Sequence, residues 1–183
     1  LTIAREESQV FDKIGNLPLH PLVVHAVVVG IPLAVLLAFL FAFPGTRSWA
    51  RWPLAIVVVG ATAVTFVARQ SGLAFQAALG VKPGNPVGDL ILKHSLLANQ
   101  LFYIMIVFAV IGLLNVFLVS RSTSGDGSGS IGSGRATQSA IVRVGLPILL
   151  VIVALVALIW IVRVGDLGAH AVWNPTAPPM IPF

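Results

Sequence analysis

Residues 21–43, "PLVVHAVVVGIPLAVLLAFLFAF", contain no charged side chain. A helix needs about 20 mostly apolar residues to cross the hydrocarbon of a bilayer. Three further stretches meet that condition: residues 53–68, with a continuation towards 79, residues 95–119 and residues 141–164. The pattern predicts an all-α protein, a transmembrane four-helix bundle built of two antiparallel hairpins, with no β-sheet of consequence. Composition agrees. Of 183 residues, 57% are hydrophobic and only 9% charged, against about 25% charged in a soluble domain. So few charges cannot clothe a water-facing surface, and the expected surroundings are a lipid bilayer.

The span starts carry helix grammar. Pro21 after His20 and Pro53 after Trp52 suit a first helical position, where a missing N–H costs nothing. In "GNPVGDL", Asn85 is an N-cap, Pro86 follows it, and Asp89 falls in the positive first turn. Pro32 and Pro147 lie inside spans and are expected to kink them. The connections differ. "PGTRSWARW" is short and closes a hairpin, with Trp49 and Trp52 as interface anchors. "SRSTSGDGSGSIGSGRATQS" has the composition of a flexible linker. The expected division is a polar segment 1–18, three spans within 19–119, a linker 120–140, a fourth span within 141–168, and a Pro-rich tail 169–183. The polar start, "LTIAREESQVFDKIGN", does not resemble a cleavable signal peptide.

Charge and cysteine narrow the chemistry. The net charge is +5, but no basic stretch is interleaved with aromatics, so nucleic acid is not an expected partner. Cysteine is absent, which excludes disulfides, thiolate catalysis, Cys-ligated clusters and covalently attached haem. No nucleophile elbow or phosphate loop is present, so no independent catalytic activity is expected; the isolated intramembrane carboxylates of a proton-driven transporter are missing too, which argues against a small transporter. Arg47, Arg51, Arg121, Arg135 and Arg143 cluster at the two linkers with a single acid, Asp126. The short basic first linker places both linkers in the cytoplasm and both termini outside.

With four spans, His20, His25, His94 and His170 all fall on one face of the membrane, the outer one in this orientation. Arg69, Arg163, Asp89, Asp166 and Asn99 lie at similar depth. The opposite end offers Asn115 as its main buried polar group. Histidine is rare in a bilayer. Near an interface it can simply bond a headgroup, a water or a loop carbonyl. It is also the commonest neutral metal ligand and an axial ligand of haem iron. Two histidines on facing helices can hold haem b without cysteine, with arginines pairing its propionates. Three can bind zinc or copper. His20 and His25 are five residues apart, about 140° around a helix, so both cannot point to one ligand if both are helical. Pro21 suggests that His20 caps the helix and that His25 turns inward. The expected cofactor site is therefore His25 and His94, supported by Arg69 and Arg163. The metal version draws on His25, His94, His20 and His170.

The hairpins themselves look like remote duplicates. "VARQSGLAFQA" and "IVRVGDLGAHA" align Arg69 with Arg163 and Leu73 with Leu167, and His25 then matches His94.

The stretch "LHPLVVHAVVVGIP" resembles a family of small bacterial membrane proteins known only as a domain of unknown function. Its hallmark is His-Pro, two apolar residues, then Val-His at the first of four helices, matched by His20, Pro21, Val24 and His25. The late "GDLGAHAVW" is similar to its Gly-rich closing segment, with His170 as the late histidine. The resemblance covers roughly residues 15–174. This chain departs from the pattern after His25, where Ala26 and Val27 replace the usual Phe-Pro. The resemblance implies a multi-pass protein of the bacterial inner membrane. Some relatives occur beside cytochrome or iron–sulfur domains, which implies membrane redox work by association. Two roles are thus expected: a His-ligated haem- or metal-binding protein in electron transfer, or a non-catalytic accessory subunit of a larger membrane complex, such as a respiratory one.

Overall fold

A computed structural model describes residues 13–14, 17–119 and 141–174. Most of the polar N-terminal segment, the linker 120–140 and residues 175–183 of the expected tail lie outside the described residues; residues 169–173, expected in that tail, are helical. The protein is all-α. Helices α1 (Leu19–Ala42), α2 (Arg47–Ala78), α3 (Pro86–Leu114) and α4 (Leu146–Trp173) follow in order. Single π-helical turns, Asn115–Val119 and Ile141–Gly145, extend α3 and precede α4. Each of the four helical stretches is long and apolar enough to cross a membrane. Among the described residues the only strands are β1 (Lys13–Ile14) and β2 (Leu17–Pro18), paired antiparallel, with β2 leading straight into α1.

Two boundaries differ from expectation. α1 begins at Leu19, so His20 is itself helical and does not stand outside as a cap. Pro21 is still tolerated, because first-turn N–H groups have no intrahelical acceptor. α4 runs through "GDLG" to Trp173 and carries His170 within it. Its glycines cost about 1 kcal/mol each relative to alanine, but Leu167 between them is fully buried and anchors the helix there.

The turn from α2 to α3 uses the predicted Asn85 and Asp89 together with glycines that the sequence did not single out. Gly80 ends α2 with φ of 61°, a left-handed conformation that glycine adopts freely. The Val81 N–H then reaches back to the Gln76 carbonyl at 3.4 Å, closing the helix end. Asn85 is the N-cap of α3: its Oδ1 accepts the Gly88 N–H at 2.8 Å. Asp89 Oδ1 accepts the Gly84 N–H at 3.1 Å. A Cβ on Gly88 would lie 2.1 Å from the Lys82 carbonyl oxygen, so only glycine fits.

The helices form two compact units, each taking a segment from all four. The first comprises the described residues of Leu1–Val29, Thr62–Tyr103 and Ile159–Phe183; the second comprises those of Gly30–Ala61 and Ile104–Leu158. In the second unit Phe41, Leu54, Val58, Phe108 and Leu150 are fully buried. Gly30 lets α1 approach α2, its would-be Cβ standing 3.5 Å from that of Ala61. Asn115, fully buried as expected of it, donates through Nδ2 to the Ile111 and Leu146 carbonyls at 2.9 and 3.0 Å. That pair of bonds ties the end of α3 to the start of α4. In the first unit, His20 near the start of α1 meets Ala68 and Gly72 late in α2. Val29, Ile56 and Leu96 are more than half exposed. Such outward apolar surface requires an apolar surrounding, here lipid.

Three glycine and cap variants grade this account by their melting temperature in detergent. Asn85→Ala should lower stability by about 1 kcal/mol, and Gly88→Ala by more, because its Cβ must displace backbone. Gly60→Ala, with nothing within 4 Å of the added carbon, should be neutral or slightly stabilising.

Candidate functional site

His20 turns from α1 onto the flank of α2. Its Nδ1–H donates to the Ala68 carbonyl at 3.0 Å. Ser71 Oγ stands 3.3 Å from the same nitrogen and itself donates to Ala68 O at 3.0 Å. The imidazole lies against Gly72, where a Cβ would come within 3.0 Å of His20 Cε1. Phe75 stacks on the ring, with centroids 6.3 Å apart and planes at 21°. Four consecutive features of one helix flank thus define one ring position.

His94 repeats this arrangement between α3 and α4. Its Nδ1–H donates to the Val164 carbonyl at 2.9 Å, and its ring lies against Gly168, where a Cβ would come within 3.2 Å of His94 Cε1. In both cases the accepting carbonyl and the bare glycine are four residues apart on the partner helix. The correspondence is therefore His20 with His94, Ala68 with Val164 and Gly72 with Gly168. The expected alignment of Arg69 with Arg163 is two residues out of this register, and His25 is not the counterpart of His94. Arginine carried the sequence alignment, whereas the contact that repeats is made by glycine and a main-chain carbonyl.

The two imidazoles meet edge to face, with centroids 6.3 Å apart and planes at 85°. Both line one cavity of about 530 Å³ in the first unit. Small residues, Ala68, Ala98 and Ala171, keep its walls back, and Arg69, Gln76 and Asn99 give it a polar side. Arg69 Nε donates to Asn99 Oδ1 at 2.7 Å and Nη1 to Gln70 Oε1 at 2.9 Å, which fixes the guanidinium at the cavity. Because Nδ1 of each neutral ring is committed to a carbonyl, the lone pair resides on Nε2. Among the described residues neither Nε2 has a hydrogen-bond partner. An Nδ1–H held by a backbone carbonyl is also the support that orients a metal-ligating histidine. The arrangement can coordinate through Nε2 or accept a proton there.

The other expected residues go elsewhere. His25 is exposed and folds back on its own helix, donating from Nδ1 to the Pro21 carbonyl at 2.6 Å. The expected inward pair of His25 and His94 is not formed; the helical phase turns His20 in and His25 out. His170 places Nε2 at 3.5 Å from Asp166 Oδ1, one turn away on α4. Arg163 lies over the Trp160 ring at 5.7 Å and does not line the cavity. Among the described residues no three His, Asp or Glu side chains come together in a group that could hold a metal ion, so the four histidines do not form one metal cluster. The seats at Gly72 and Gly168 were missed in the sequence. Their only trace there is a glycine one turn beyond a small or β-branched residue, a pattern too common to mark a site.

Four spanning helices, outward apolar surface and a cavity holding paired imidazoles define a multi-pass integral membrane protein. The chain belongs to the family described as "Predicted membrane protein (DUF2231)", whose model matches residues 16–176. No curated protein and no solved structure matches it.

Nitrogen-15 NMR of histidine-labelled protein in detergent tests the seats. His20 and His94 should give signals of the Nδ1–H tautomer at neutral pH, and Gly72→Val or Gly168→Val should abolish the signal of the ring it faces. Unchanged spectra in both variants would remove the seats.

Proposed function

We propose that this protein binds haem b in the first-unit cavity through His20 and His94 and serves electron transfer in the membrane. The carrying observation is the pair of rings, each anchored at Nδ1, each with Nε2 unused, on one cavity. Haem suits this donor set better than a bare metal ion. A porphyrin brings four of its own ligands and asks the protein for only two, whereas zinc in a structural site takes four from the protein. His20 and His94, with ring centres 6.3 Å apart on one cavity, would be the residues that hold the group. The small-residue walls leave room for a flat ligand, and Arg69 offers charge-assisted bonds to a carboxylate.

Haem when bound supplies a one-electron couple. The protein's own groups do the rest. The Ala68 and Val164 carbonyls orient the two imidazoles and raise their basicity. The apolar walls exclude water, and Arg69, held by Asn99, balances anionic charge at the rim. In a bacterial inner membrane with both termini outside, the pair lies near the outer interface. Exchange with a partner at that surface suits it better than conduction across the whole bilayer.

The absorption spectrum of the purified protein in mild detergent tests this. A Soret band should be present, be lost in His20→Ala and in His94→Ala, and persist in His25→Ala. Arg69→Gln should weaken haem retention by about tenfold, the worth of one charge-assisted hydrogen bond. A colourless protein carrying stoichiometric zinc or copper would overturn the haem assignment in favour of a His-bound metal. A colourless, metal-free protein that co-purifies with a larger membrane complex would overturn the cofactor reading and leave the accessory role.

A further inference from the structure

The second unit holds a cavity of different character. It encloses about 640 Å³ and is bordered by Arg47 and Arg143, with apolar walls that include Val144, Pro147, Ile148 and Val151. Arg47 is aimed by its own hairpin. Its Nε donates to the Phe41 carbonyl at 3.1 Å and its Nη2 to the Ala42 carbonyl at 3.0 Å. These carbonyls end α1, where the helix dipole favours a cation. Nη1 takes no hydrogen-bond partner among the described residues. Two guanidiniums on one cavity repel each other, and an anion between them reverses that cost.

We infer that this cavity seats one anionic phospholipid, its phosphate between Arg47 and Arg143 and an acyl chain along Ile148 and Val151. Charge complementarity selects the headgroup. Guanidinium binds phosphate through paired N–H donors, and basic pockets between spanning helices are the usual seats of anionic lipid heads. The apolar walls select a lipid over a free anion, since phosphate alone would leave them without a partner. The two arginines belong to the ends of different hairpins, Arg47 at the start of α2 and Arg143 in the turn before α4. A phosphate bonded to both therefore links the two hairpins. This site is independent of the haem reading.

Native mass spectrometry of the whole protein in detergent, titrated with phosphatidylglycerol or phosphatidylcholine, tests it. One phosphatidylglycerol should bind, at least tenfold more tightly than phosphatidylcholine. Arg47→Gln with Arg143→Gln should weaken it about 25-fold, taking about 1 kcal/mol for each basic residue, and the paired lysine variant should restore most of the loss. Because Arg47 also holds the end of α1, Ile148→Trp provides a second test. It fills the groove, leaves both arginines, and should reduce binding with no change in melting temperature. Equal affinity for the two lipids, or binding indifferent to both sets of variants, overturns the site. Competition by glycerol 3-phosphate at the concentration effective for the lipid would show an anion site without a lipid, and overturns the lipid as its occupant.

Discussion

A histidine N–H withdrawn from water into an apolar protein must find an acceptor, and inside a spanning helix nearly every acceptor is already engaged. A helix carbonyl nevertheless has two lone pairs, and the intrahelical bond uses one. His20 and His94 both take the second, at Ala68 and Val164. Reaching it brings the imidazole down onto the helix surface, close to the residue one turn further on. Gly72 and Gly168 stand at those positions, where a Cβ would come within 3.0 and 3.2 Å of the rings. An unbonded polar group buried there would cost about 1–3 kcal/mol; the seat removes that cost and fixes the tautomer at once.

The polar chemistry is divided between the two units. The first unit holds the imidazoles, Arg69 with Asn99, and the Asp166–His170 pair. The second has Asn115 as its fully buried polar side chain among the described residues, and its cations are arginines near helix ends. Asn115 serves packing, since its amide joins Ile111 and Leu146.

Helix number, type and approximate extent were legible because long uncharged runs admit few alternatives. Asn85 as cap was legible for the same kind of reason: it performs a job open to few residue types. The facing of α1 was not. Buried positions Val27, Ala34 and Phe41 lie at seven-residue steps from His20, but the outward positions between them are equally apolar because they meet lipid. A helix apolar all round gives no contrast from which to read its phase. Choosing between His20 and His25 then rested on Pro21, and a proline in the first turn does not say where the turn began. On α3 the contrast existed. Leu101, Phe108 and Asn115 are buried at the same seven-residue steps from His94, and the lone polar Asn115 marks that stripe as inward. The seats depend on a main-chain carbonyl, which every residue has, so no side-chain pattern could disclose them.

Each imidazole is seated wholly within its own hairpin: His20 of α1 on α2, His94 of α3 on α4. The two seats are joined in sequence by the α2–α3 turn, residues 79–85. Gly80, the Asn85 cap and the close fit of Gly88 to Lys82 fix the geometry of that turn. Lengthening it would change the spacing of the two rings and leave each ring's own hydrogen bond intact, so the turn sets the gauge of the pair.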